Sequence, residues 1–125
     1  AFHWSDALLA GKAKRAQRVL RQLEAEGVEA VILLRTIQKE LTQLLSMQQQ
    51  MQSQAIGQVF ERYRIWQSKR PLYSAALNRL SQTKITQLIQ LIAKAEVISK
   101  TQYEISSWPL LHQLSTEMCL PQVKL

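Results

Sequence analysis

One long apolar stripe constrains the fold of this chain more than any other sequence feature. Between Glu29 and Ser53, apolar residues recur every three or four positions, at Ala30, Leu34, Ile37, Leu41, Leu44 and Met51. This spacing places them on one face of an α-helix. At 1.5 Å per residue such a helix would be roughly 37 Å long. We therefore predict a central helix over residues 29–53, with its glutamine-rich end, Met47 to Gln54, exposed or fraying.

The remaining segments also read as helices. Only 3 glycines and 3 prolines occur among the 125 residues, too few for a β-rich fold with frequent tight turns. Ser5 or Asp6 can cap a short first helix, and Ser107 can cap the last one. Further helices are predicted over 12–26, 55–63, 71–80 and from 84 to beyond 101. The expected fold is all-α, a bundle of about five to seven helices over 1–120 followed by a tail at 121–125.

The chain lacks the residue patterns of an enzyme active site. It has no glycine-rich phosphate-binding loop, no H-E-x-x-H motif and no carboxylate pair suited to acid–base catalysis. His112 could accept a phosphoryl group, but a helical histidine without such a role is the more ordinary interpretation. We expect no enzyme, no metal and no cofactor. The single cysteine, Cys119, fits a reduced cytoplasmic setting, and no apolar run is long enough to span a membrane.

The net charge of +7 points to an acidic partner, whether a nucleic acid, an acidic protein surface or a membrane, and does not choose among them. Five bases fall between Lys12 and Gln22 without an acid: Lys12, Lys14, Arg15, Arg18 and Arg21. Lys14, Arg18 and Arg21 share one helix face, which is either a solvated face or a phosphate-binding patch. Aromatic and basic residues also alternate from Phe60 to Tyr73, as core and rim or as a platform for a nucleic acid strand.

Several further residues are candidates for binding. Leu91, Ile98 and Ile105 form a second apolar line along the long helix after residue 84, so that helix should contact two neighbours. This line and Trp66 are the predicted subunit-interface residues. Tyr103, near Lys100 and at the expected helix end, is a candidate for stacking on a nucleic acid base. The DNA-contact candidates are therefore Tyr103, Lys100, Lys12, Lys14, Arg15 and Arg18.

Three strings in this order resemble a known family. Residues 4–16 (WSDALLAGKAKRA), residues 31–36 (VILLRT) with Glu40-Leu41, and residues 76–82 (ALNRLSQ) are similar to the C-terminal domain of the delta subunit of the bacterial DNA polymerase III clamp loader. Arg64 to Gln67 and the spacing from Tyr103 to Trp108 fit as well. The resemblance covers nearly the whole chain, although none of these strings is a catalytic signature.

The resemblance implies a helical collar domain that assembles a pentameric loader. Its partners would be the gamma/tau ATPase subunits and delta prime, with primed DNA bound in the assembled complex. The first residue is Ala1 rather than Met, so we expect either a processed chain or a piece of a larger one. The resemblance favours the second and implies that the sliding clamp is contacted only through a missing N-terminal part. Tyr103 matches a position that can meet the template, although the neighbouring Glu104 is unfavourable there. The alternative is a freestanding basic helical module that binds nucleic acid.

Overall fold

The computed structural model describes residues 2–101 and 105–122, which form seven α-helices and one 3₁₀ turn. The helices are α1 (Phe2–Ala10), α2 (Ala13–Ala25), α3 (Ala30–Gln50), α4 (Ile56–Arg62), α5 (Arg70–Arg79), α6 (Gln82–Thr101) and α7 (Trp108–Cys119). The 3₁₀ turn spans Gln67–Lys69, just before α5. The described residues contain no strand. The prediction of an all-α helical bundle is confirmed.

Helices α3 and α6 form the antiparallel centre of the bundle. Gln48, near the end of α3, donates a hydrogen bond of 2.5 Å to the carbonyl oxygen of Leu80, just before α6. The predicted stripe of α3 is the core-facing one, with Leu34, Ile37, Leu41 and Leu44 fully buried. The expected exposed end is partly wrong: Met47 is fully buried, and Gln48 is half-buried. A glutamine-rich composition therefore did not indicate exposure, because a long amide side chain can bond a buried carbonyl.

The predicted caps have mixed outcomes. Helix α6 is capped by Ser81, whose Oγ accepts a hydrogen bond from the backbone N–H of Lys84 (3.0 Å). Helix α1 begins at Phe2, so Ser5 and Asp6 lie inside it and do not cap it. Ser107 precedes α7 but makes no capping bond with its side chain; Ser106 Oγ instead accepts from the N–H of Trp108 (3.2 Å).

Helices α1, α2 and α7 close one side of the core. Trp4 is fully buried, and its indole N–H donates to Ser115 Oγ of α7 at 3.4 Å. Helix α2 turns Ala16 and Leu20 inward and carries its bases on the opposite side. A buried ion pair joins α6 to α7, with Lys84 Nζ at 2.5 Å from Glu117 Oε1. Removing one partner of such a pair would leave an uncompensated buried charge, which makes the pair a strong constraint on how α6 and α7 pack.

Arg79, the last residue of α5, connects α5 with the C-terminal ends of two other helices. Its guanidinium donates to the carbonyl oxygens of Leu8 (2.9 Å) and Leu9 (3.2 Å) in α1, and to that of Met118 (3.1 Å) in α7. The last carbonyls of a helix have no partner within the helix and lie at the negative end of its dipole. One half-buried cation therefore bonds to carbonyl oxygens at the ends of two helices.

Gly11 permits this approach of Arg79 to α1. Its φ of +77° is in the left-handed region, and a Cβ built there would lie 2.6 Å from Arg79 Nη1. Gly27 ends α2 in the same way, with φ +81° and nothing within 4 Å of its Cβ position. In both cases the N–H groups of the glycine and of the residue after it donate to carbonyl oxygens of the helix. The acceptors are Leu8 and Ala7 in α1, and Glu24 and Leu23 in α2. This is the Schellman ending, which favours glycine.

The two glycines allow the role of Arg79 to be measured. Gly27→Ala should lower the free energy of unfolding by about 1 kcal/mol, because only backbone strain is added. Gly11→Ala should cost about twice as much, because the new methyl group also displaces the Arg79 guanidinium from its carbonyl partners. Chemical denaturation of the two variants measures the difference. Equal losses would show that the contacts of Arg79 with α1 contribute little.

Candidate functional site

Trp66 is the most exposed large apolar side chain among the described residues, with 76% of its surface open to solvent. It lies in the connection between α4 and the 3₁₀ turn. An exposed tryptophan leaves a large apolar surface in water, and tryptophan is enriched among the residues that dominate binding energy at protein interfaces. The placement of Trp66 fits its predicted interface role but does not test it.

The backbone before Trp66 is held by the ending of α4. The N–H of Ile65 donates to the carbonyl oxygen of Phe60 (2.9 Å), and that of Arg64 donates to Glu61 (3.1 Å). These bonds repeat the Schellman pattern of α1 and α2. Ile65 and Phe60 are both buried, so the motif also has its usual apolar contact. The exposed indole therefore follows directly after an anchored residue.

Arg64 occupies the position that α1 and α2 fill with glycine. Its φ is +56°, and it is the one non-glycine residue with a positive φ in the described part of the chain. This conformation costs an L-amino acid roughly 1–2 kcal/mol. Strained backbone positions cluster at binding sites. The strained residue therefore lies two positions before the exposed tryptophan. Its side chain is an exposed cation close to Trp66 in sequence.

The chain after Trp66 is held by two further basic residues. Arg70 Nε donates to the carbonyl oxygen of Ile65 (3.1 Å), and the Arg70 guanidinium lies 5.7 Å from the centre of the Phe60 ring. Lys69 Nζ forms an ion pair with Asp6 of α1 at 2.7 Å. Trp66 is thus presented on a connection that is fastened on both sides. We call residues 64–67 the Trp66 loop.

A second apolar surface lies where α3 begins and α6 ends. Because these helices are antiparallel, Ile32 and Val97 are at the same end of the pair; they are 52% and 59% exposed. Ile98 is half-buried, and Leu91 packs against the core. Ile105 is 50% exposed but lies after the end of α6, so the predicted line of three residues on one helix is wrong for Ile105. We call Ile32 and Val97 the α3/α6 end.

Sequence reasoning missed Ile32, Val97 and the strain at Arg64. Ile32 was passed over because the stripe on α3 was assigned from its inward-facing members. The sequence did contain a signal, because Ile32 is an apolar residue outside the buried stripe, where a surface helix is normally polar. The conformation of Arg64 had no such signal, since arginine is an uncommon residue at a left-handed position.

The five basic residues at the start of α2 and within it are all on the surface. Lys12, Lys14, Arg15, Arg18 and Arg21 are exposed, and none of them forms an ion pair with another described residue. Three of them share one face of α2 with Gln17: Lys14, Arg18 and Arg21. Lys12 and Arg15 lie outside this set. The structure therefore brings together only part of the predicted set.

The structure does not describe the side chains of the two remaining DNA-contact candidates. Tyr103 lies outside the described residues, and so does the side chain of Lys100. Of the aromatic residues in the basic-aromatic stretch, Phe60 and Tyr73 are buried and Tyr63 is half-buried. These three belong to the core and its edge, and Trp66 alone among the four aromatics of the stretch is exposed.

The surroundings of the buried titratable groups explain the shifts of their pKa values. The Tyr73 hydroxyl donates to Glu40 Oε2 (2.8 Å), and burial, with help from this bond, raises the pKa of Tyr73. Burial raises the pKa of the Cys119 thiol to about 11, despite the opposing effect of Arg79, so the thiol is neutral and a poor nucleophile. His112 lies 3.2 Å from Glu24 near the surface. No three metal-binding side chains cluster within residues 2–101 and 105–122.

Across the described residues, no helix combines the length and the apolar character that a membrane span requires.

Comparison with known proteins assigns the chain to a family. Residues 1–124 match the family described as the processivity clamp loader gamma complex DNA pol III C-term. The chain belongs to this family. It is 46% identical over 118 residues to DNA polymerase III subunit delta of Escherichia coli and 41% identical over 128 residues to that of Haemophilus influenzae. The delta subunit of Buchnera aphidicola is 26% identical over 117 residues.

Clamp-loader C-terminal domains of this kind form only part of their subunits. The matches cover 94%, 95% and 94% of this chain but 34%, 37% and 35% of the three relatives, in the order given. The chain therefore spans about a third of the length of the curated relatives that it matches. The family resemblance inferred from the three sequence strings is confirmed. Two of those strings contain Gly11 and Arg79, the pair that joins α1 to α5.

The strain at Arg64 predicts an unusual stability change. Arg64→Gly should raise the free energy of unfolding, by up to about 1 kcal/mol, because glycine adopts a positive φ without steric cost. Replacing a surface residue by glycine elsewhere in a helix lowers stability instead. Thermal and chemical denaturation would measure the change, with Arg62→Gly in α4 as the matched control. A loss of stability in Arg64→Gly would contradict the assigned backbone strain.

Proposed function

We propose that this chain is the oligomerisation domain of a DNA polymerase III delta subunit. In this role it assembles with the gamma/tau ATPase subunits and delta prime into the pentameric loader that places the sliding clamp on primed DNA. The domain itself carries no catalysis and works in the cytoplasm. Its contribution is a rigid helical body with surfaces that fit neighbouring subunits.

The observation that carries this proposal is the exposed Trp66 on an anchored loop in a chain that matches this family over its whole length. A protein interface needs a central apolar residue that loses little conformational freedom on binding. The Trp66 loop meets that requirement, because buried Ile65 and the Arg70 hydrogen bond hold its backbone. The α3/α6 end supplies a second apolar surface, suited to packing against a helix of a partner.

The basic face of α2 keeps a second candidate function open. A freestanding nucleic-acid-binding module would use that face and would need no partner subunits. The two functions differ in what the exposed apolar residues do. In the assembly role, Trp66, Ile32 and Val97 carry the binding energy; in the freestanding role they contribute nothing to it.

Reconstitution with partner subunits tests the assembly role. The purified chain should bind the gamma ATPase subunits and delta prime at micromolar concentration in size-exclusion chromatography. Trp66→Ala should weaken this binding by roughly tenfold or more, the loss expected for an interface hot spot of about 2 kcal/mol. Ile32→Ser combined with Val97→Ser should weaken it as well if the α3/α6 end is part of the interface.

The matched control is Leu120→Ser, which replaces an apolar side chain that is 36% exposed after the end of α7. It should leave assembly unchanged. All variants should keep the circular dichroism spectrum of the wild type, because the altered side chains are exposed. The absence of micromolar binding by the unaltered chain would contradict the proposal, and full binding by Trp66→Ala would remove Trp66 from it.

A further inference from the structure

A polar cleft lies where α1, α3 and the chain around the start of α5 meet. Its volume is about 380 Å³, which is within the range of cavities that hold small molecules. Leu9 and Tyr73 line it and are both buried, so it has an apolar wall as well as polar groups. None of its lining residues belongs to the Trp66 loop, the α3/α6 end or the basic face of α2. The assembly role therefore leaves this cleft unused.

The Ser5 hydroxyl is a buried polar group that faces this cleft without a partner. Ser5 is only 9% exposed, yet its side chain makes no hydrogen bond with another described residue. Buried hydroxyl groups normally have a hydrogen-bond partner, because burial without one costs free energy. Ser5 lies inside α1 and caps nothing. Its hydroxyl can be satisfied only from the cleft, by water or by a ligand.

Two carboxylates line the cleft, and each has one partner. Asp6 accepts through Oδ2 from Lys69 (2.7 Å), and Glu40 accepts through Oε2 from the Tyr73 hydroxyl (2.8 Å). Burial, the hydrogen bond to Glu40 and the charges of Glu40 and Asp6 together raise the pKa of Tyr73. Both negative charges therefore act on the same part of the cleft. The second oxygen of each carboxylate accepts no hydrogen bond from another described residue and remains available to a donor.

Two lysines balance the two carboxylates. Lys69 is held by Asp6, whereas Lys39 is exposed and forms no ion pair with another described residue. Two cations and two anions leave the cleft without formal net charge, although the whole chain carries +7. A simple anion would be attracted by the lysines and repelled by the carboxylates, and a simple cation would meet the reverse. A ligand that carries both charges is attracted by both sets.

We propose that this cleft binds a free amino acid in its zwitterionic form, with an apolar side chain. The carboxylate of the ligand accepts hydrogen bonds from Lys39 and from the Ser5 hydroxyl. Its ammonium group donates to the available oxygens of Glu40 and Asp6, and its side chain lies against Leu9. The inference goes beyond subunit assembly, because it assigns a small-molecule ligand to a surface that assembly does not need.

Leucine and two analogues test the requirement for both charges. The 125-residue chain is titrated, with backbone amide NMR signals as the readout, with L-leucine, isoamylamine (leucine without its carboxylate) and isocaproate (leucine without its ammonium), each up to about 50 mM. Leucine should shift amide signals of α1, α3 and α5 around the cleft, with millimolar or tighter affinity. Each analogue should bind roughly tenfold more weakly, because one set of charge-assisted hydrogen bonds is lost.

Two variants connect each charge of the ligand to its partner. Lys39→Met should weaken leucine binding roughly tenfold without weakening isoamylamine binding, because that analogue has no carboxylate. Glu40→Gln, which can still accept from Tyr73, should weaken leucine binding without weakening isocaproate binding. Lys94→Met removes an exposed cation of α6 and is the matched control, which should bind leucine as the wild type does. Loss of affinity in Lys94→Met equal to that in Lys39→Met would overturn the site.

Ser5→Ala separates a binding role from a structural one. Because the hydroxyl has no partner, its removal should leave the free energy of unfolding unchanged or raise it, while leucine binding weakens several-fold. The proposal would be overturned if leucine caused no shifts in the unaltered chain, or if the analogues bound as tightly as leucine. Sorbitol binding with the affinity of leucine would also overturn it, in favour of a neutral polyol. Because no partner subunit is used, the result is independent of the reconstitution experiment.

Discussion

Arg79 joins α5 to α1 and α7 through the hydrogen bonds of its guanidinium, and so supports the side of the bundle that carries the Trp66 loop. It donates to carbonyls at the C-terminal ends of α1 and α7, and its approach to α1 requires the absent side chain of Gly11. Burial lowers the pKa of Arg79, partly offset by Cys119, but a guanidinium keeps its charge at neutral pH. Because Arg79 ends α5, this contact also positions the start of α5, where Lys69 and Arg70 fasten the Trp66 loop.

The sequence predicted the framework better than the surfaces. Periodic apolar residues such as Leu34, Ile37 and Leu41 identified the central helix and its buried face, because core packing selects for that spacing. Local signals failed where tertiary contacts decide the outcome. Gln48 is drawn inward by the Leu80 carbonyl, and Ser5 lies within α1 and does not cap it. The left-handed Arg64 could not be foreseen, because arginine carries no local preference for a positive φ.

The exposed features of the chain divide into two chemically distinct kinds. The Trp66 loop and the α3/α6 end are apolar, and they are supported by residues that are buried or hydrogen-bonded. The basic face of α2 is polar, and its cations form no ion pair with a described residue. Apolar surfaces on a rigid body suit a protein neighbour, whereas an unpaired basic face suits an anionic one.

Hydrogen–deuterium exchange of the chain, free and in the assembled loader, tests the central claim most directly. If assembly uses the proposed apolar surfaces, amide protection on binding should increase in the Trp66 loop, and also near Ile32 and Val97 if the α3/α6 end is part of the interface. Helix α2 should remain unchanged until DNA is added. Protection confined to α2 on subunit binding, with the Trp66 loop still exchanging at its free rate, would contradict the account.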